Sequence, residues 1–129
     1  MDPIEALRSR LVADPHVSTA WLYGSQARGT ARATSDFDVA VLWDDPSCPA
    51  ELAFDLEAAL CASLGREVQV VIAHRAPADL IRRVLRDGIL LVDRDRSARI
   101  AFEVRKRNEY FDMVPTWRRI RRLAPDVAP

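Results

Sequence analysis

The chain has 129 residues and a mass of 14.5 kDa, the size of one domain, and its 49% hydrophobic and 29% charged residues are the balance of a soluble globular protein. Two cysteines, Cys48 and Cys61, are too few for a disulfide framework and match no zinc spacing. No apolar run approaches the ~20 residues of a membrane span, and the acidic start Met1-Asp2-Pro3-Ile4-Glu5 has no signal-peptide core, so the expected location is the cytoplasm.

The formal charge is zero but unevenly spread. Residues 1–93 carry nine Arg against fourteen Asp or Glu, and residues 94–129 carry ten Lys or Arg against five acids. Direct nucleic-acid binding is therefore not expected of the chain as a whole. The basic C-terminal segment reads either as a solvated helical face with a frayed tail or as a docking surface for an acidic partner.

In chain order, residues 3–13 read as a helix with Asp2 as N-cap, Pro3 at its first position, and an apolar stripe of Ile4, Leu7 and Leu11. Ser18 to Tyr23 is a strand ending at Gly24, and Asp36 to Trp43 is a second, closed by Asp44-Asp45-Pro46-Ser47. Residues 50–63 form an amphipathic helix stopped by Gly65, and Glu67 to Ala73 is a third strand. A helix follows from Pro77 to Arg86, then a short apolar strand or turn at Ile89 to Val92. Residues 95–112 are helical, Pro115 interrupts them, and residues 116–123 make one more helix. The expected architecture is α+β, a small mixed sheet of three to four strands with helices packed on it, as one domain over residues 1–129.

The chemistry concentrates between Tyr23 and Asp38. Gly24 has no Cβ, so the chain turns sharply there and a ligand can approach the backbone. Ser25 and the amides after it open a helical turn, where unpaired N–H groups favour an anion such as phosphate. Arg28, one turn on, offers a charge-assisted fork to the same anion. Asp36 and Asp38, two apart on a strand, share a face at roughly 6.5–7 Å. Two such carboxylates are uncomfortable unless a cation sits between them, and hard oxygen ligands choose Mg²⁺ or Mn²⁺. An anion cradle followed by a divalent-metal pair describes a site for a nucleoside triphosphate.

Gly-Ser-x-Ala-Arg-Gly, then Ser-Asp-x-Asp opening a strand, resembles the polymerase-β-type nucleotidyltransferases, and within them the minimal (MNT, MntA-like) group. Arg75-Ala76-Pro77, Val84 to Leu91 and the helix through Tyr110-Phe111-Asp112 extend the likeness over nearly the whole chain. The resemblance implies an antitoxin encoded beside a HEPN-domain ribonuclease toxin, transferring AMP from ATP with Mg²⁺ onto a tyrosine of that toxin. Carried over, Gly24, Ser25 and Arg28 bind the nucleotide's phosphates, while Asp36 and Asp38 are catalytic and hold the metals. Transfer to a small molecule such as an aminoglycoside fits less well, since no separate substrate domain is visible.

One position departs from the family's pattern. The third carboxylate, on the next strand, aligns with Gln69, which is neutral and cannot serve as a base. Glu67 shares its face by the two-residue period and is the one visible substitute. The alternative function is thus a degenerate nucleotidyltransferase that neutralises its toxin by binding. Of the other residues, His16 and His74 lack partners at ligand spacing and read as surface histidines. Trp21 and Trp43 read as core or sheet-edge packing, Trp117 as an interface candidate, Tyr110 as a core or a partner-facing aromatic, and both cysteines as reduced bystanders.

Overall fold

The computed structural model describes residues 2–123. Its elements are α1 (Pro3–Ala13), β1 (Val17–Tyr23), α2 (Ser25–Arg28), β2 (Phe37–Trp43), α3 (Ala50–Leu64), β3 (Val68–Ile72), α4 (Ala78–Asp87), β4 (Ile89–Asp93) and α5 (Arg96–Leu123), with a 3-10 turn at Ala73–Arg75. The four strands form one sheet in the order β3-β2-β1-β4. β1 pairs antiparallel with β2 and β4, whereas β2 and β3 run parallel because α3 carries the chain back between them. This is the mixed α+β sheet expected from the sequence.

Strand alternation sends two sets of side chains to two faces. Phe37, Val39, Val41 and Trp43 join Leu7, Leu11, Leu56 and Leu60 beneath α1 and α3. Trp21, Ala40 and Leu42 join Ile81, Val84 and Phe102 beneath α4 and α5. A register shift between Val17 and Thr19 lets Val17 share the first face with Ala20 and Leu22, which strict alternation forbids. Phe102 lies 5.7 Å from Trp21, ring centre to ring centre, and its burial stabilises the second face by about 1.5–3 kcal/mol.

The structure corrects three local expectations and settles one left open. β2 begins at Phe37, so Asp36 precedes the strand; Phe37 N–H donates to Glu67 O (3.0 Å), which makes it the first residue in the parallel ladder. β3 ends at Ile72 because Ala73 starts the 3-10 turn. Ile89 to Val92 is a true strand, held by β1. Pro115 does not interrupt α5, which continues to Leu123 with the proline inside it. An interior proline costs about 3 kcal/mol or more; here Tyr110 and Trp117, two turns apart with ring centres at 5.0 Å, tie the helix together across it. Asp2 does occupy the N-cap position before Pro3, but without a side-chain cap bond. The frayed tail expected beyond Leu123 lies outside the described residues.

Candidate active site

β1 is buried almost to its end and then breaks at Gly24, whose φ of 75° and ψ of −156° only glycine adopts readily. A Cβ built there would stand 2.6 Å from Asp38 Oδ2, so the bare backbone lies directly against that carboxylate. The Gly24 carbonyl accepts from the N–H groups of Ala27 and Arg28, both at 3.1 Å, winding the single turn of α2 with Ser25 at its start. Gly24 thus sits at the end of β1 beside Asp38, with Ser25 next to it in the chain.

The segment between α2 and β2 is pinned at Ser35. Its carbonyl accepts from Gln26 Nε2 (3.1 Å) and Arg66 Nη2 (2.7 Å), and its hydroxyl accepts from Arg32 N–H (2.8 Å). Arg66 also lies over the Phe37 ring at 5.0 Å. These contacts fix the backbone on either side of Asp36, which is exposed, while Asp38 is half-buried. Arg66 and Gln26 are positioning residues that no motif announced.

Asp38 has Tyr23 as its register partner on β1 and Gln69 as its partner on β3, so three side chains form one row across the sheet. Burial raises the Asp38 carboxyl above the usual range, the Asp36 charge raises it further, and Arg28 opposes both. Arg28 is thus close enough to act on the Asp38 carboxylate. Burial and the Asp38 charge also raise the Tyr23 phenol, against Arg83 of α4. Tyr23 and Arg83 were not singled out from the sequence; the signal was Tyr23's place at the strand end before Gly24. Glu67, just ahead of β3, is exposed, as is Gln69.

Beside this row, α4 and α5 enclose a cleft of about 270 Å³ lined by Arg82, Arg83, Arg86, Tyr110 and Trp117 among others. Arg82 stacks over Tyr110 at 4.6 Å, so Tyr110 and Trp117 pack half-buried between helices instead of standing free.

Residues 5–97 match the family model described as polymerase beta, nucleotidyltransferase. The chain belongs to the polymerase-β nucleotidyltransferase family. Among solved structures, one described as a toxin–antitoxin with AMP-PNP superimposes with a TM-score of 0.75 at 24% identity, covering 93% of this chain and 95% of that one. A mutant of the toxin–antitoxin MntA–HpeT matches at 0.72 and 26% identity, covering 91% and 89%. A complex of tri-AMPylated Shewanella oneidensis HEPN toxin with MNT antitoxin matches at 0.68 and 23% identity, covering 91% and 87%. No curated protein sequence matches the chain. Among the described residues no helix of this nucleotidyltransferase is long and apolar enough to cross a membrane.

Proposed function

We propose that this chain is a minimal nucleotidyltransferase of one domain, residues 1–129. It acts in the cytoplasm as the antitoxin of a HEPN ribonuclease toxin and transfers AMP from ATP to a tyrosine of that toxin. The observation that carries this reading is the bare Gly24 backbone against Asp38, with Ser25 and Arg28 on the same turn and Asp36 two residues away. Its family membership and the AMP-PNP-bound and AMPylated-toxin complexes among its structural relatives support it.

In this reading Gly24, Ser25 and Arg28 hold the triphosphate, Arg28 by its charge. The all-oxygen pair Asp36 and Asp38 fits Mg²⁺ or Mn²⁺, because burial and the Asp36 charge both disfavour the ionised Asp38 and a divalent ion would relieve it. When bound, the ion neutralises charge on the phosphates. The tyrosine hydroxyl releases its proton to solvent, its oxygen attacks the α-phosphorus as the bond to the bridging oxygen of the β-phosphate breaks, and pyrophosphate leaves. Catalysis is positioning and charge neutralisation by a preorganised site.

A second reading is favoured by one residue. Gln69, directly beside Asp38, supplies neither a third charge nor a base, which suits an antitoxin that silences its toxin by contact. The deciding experiment incubates the chain with its neighbour-encoded partner, Mg²⁺ and ATP, and takes the intact mass of both proteins. A partner heavier by AMP units establishes transfer. An unchanged partner that still co-elutes establishes neutralisation by binding.

A further inference from the structure

We propose that His16, Asp44 and Cys48 form a second metal site, for a divalent ion of the Zn²⁺ class, at the end of the sheet remote from Asp38. The proposal does not rest on the nucleotidyl-transfer reading. The imidazole nitrogen, carboxylate oxygen and thiol sulfur of the three lie within 4.8 Å of one another, with His16 Nδ1 at 3.7 Å from Asp44 Oδ1. Ligands around a tetrahedral zinc stand roughly 3.3–3.8 Å apart, given bonds of about 2.0–2.3 Å. Movement of about 1 Å by the exposed His16 and Asp44 side chains closes the site onto the buried Cys48.

The backbone holds all three in place. Asp44 N–H donates to His16 O (2.9 Å), extending the β1–β2 pairing past Val17 and Trp43. His16 N–H donates to Asp14 Oδ1 (2.9 Å). Cys48 N–H donates to Asp45 O (3.1 Å), and the Asp45 carboxylate accepts from Ser47 N–H and hydroxyl at 2.9 and 2.8 Å. From outside, Arg75 Nη2 donates to Cys48 O (2.8 Å), and His74 Nε2 lies 3.1 Å from Pro46 O. Each ligand thus comes from a constrained position, in two segments far apart in sequence.

Charge and donor type point the same way. Arg75, the cation packed beside the Cys48 loop, spends its guanidinium on the carbonyls of Pro46 and Cys48. A mixed nitrogen, oxygen and sulfur set selects a borderline ion over Mg²⁺, whereas the Asp36–Asp38 pair is all oxygen. Asp44, just past the end of β2, lies six residue steps from Asp38, on the order of 20 Å, so the two sites are independent. Bound metal would tie the loop after β2 to the start of β1, displacing the thiol proton. This revises the sequence reading of His16 as lacking partners and of Cys48 as a bystander.

Cobalt(II) is the probe, added to the full chain in excess Mg²⁺ with a non-chelating reductant. One equivalent is expected to produce a near-ultraviolet thiolate-to-cobalt band, which Zn²⁺ then abolishes. The band is expected to persist in Cys61→Ser and in the double variant Asp36→Asn, Asp38→Asn, and to vanish in Cys48→Ser. Should Cys48→Ser not fold, His16→Ala gives the same reading, because that ring is exposed and outside the core. The absence of a band in the unmodified chain at one equivalent overturns the proposal, as does a band that survives His16→Ala or is lost with Cys61.

Discussion

Asp38 and Gln69 are register partners across the parallel β2–β3 pair, on the face that also carries Tyr23. A carboxylate at position 69 would therefore stand beside Asp38 without any change of backbone. Gln69→Asp is expected to raise the rate of AMP transfer by about 10²-fold, the lower end of what a positioned acid–base group contributes. The increase is read from the mass of the partner over time. No increase would hand the role to Glu67.

Gly24→Ala places a methyl group 2.6 Å from Asp38 Oδ2 and a side chain at a φ of 75°. Forcing an ordinary residue into that region costs about 1–3 kcal/mol. Both the urea midpoint and nucleotide binding should fall, and a variant that keeps full ATP affinity would show that the nucleotide does not use this turn.

The double variant Asp36→Asn, Asp38→Asn is expected to abolish Mg²⁺-dependent transfer while leaving the fold intact, because Asp36 is exposed and Asp38 only half-buried. Removing the charge they hold against each other should leave stability unchanged or slightly higher. Toxin neutralisation that survives the double change would identify binding as the mechanism. Circular dichroism and the partner mass distinguish the outcomes.

His74 supplies the pH dependence. Burial lowers its pKa, and the nearby charges of Arg75, Arg105 and Lys106 lower it further, while the Pro46 carbonyl opposes them. Its Nδ1 is buried without a partner, so protonation would leave an N–H⁺ with no acceptor. The unfolded chain, titrating near 6.5, then binds the proton more readily than the folded one. Stability from this group is complete above about 6.5 and is lost as pH falls from there toward the folded value. The urea midpoint should be lower at pH 5.5 than at 7.5, and His74→Gln should reduce that difference.

Lys106, the only lysine in the chain, is buried, with Nζ donating to Ala76 O (3.0 Å) and to Glu109 Oε2 (3.2 Å). Lys106→Met keeps the aliphatic volume and removes both bonds, with an expected cost of about 1.5–3 kcal/mol. Lys106→Ala should cost more by losing packing as well. Denaturant titration of the two variants separates the terms.

What the sequence showed directly was local. Gly24-Ser25 at a strand end and the spacing of Asp36 and Asp38 needed no tertiary knowledge, and apolar periodicity placed the helices to within a few residues. What it hid was non-local. Arg66 on Ser35, His74 on Pro46, and Cys48 beside His16 are each separated by about thirty residues of chain and meet only because of the strand order. Pro115 misled for a different reason: its cost is local and visible, whereas the Tyr110–Trp117 contact that spans it depends on how α5 packs.

β1 is paired on both sides and buried through Leu22, then ends within two residues at a glycine turn. Amides in the middle of β1 can exchange with solvent only when the whole sheet opens, while those of residues 25–35 exchange through local opening. The boundary between the slowest and fastest protons should thus fall next to Asp38, and nucleotide occupancy should register as protection added on one side of it alone.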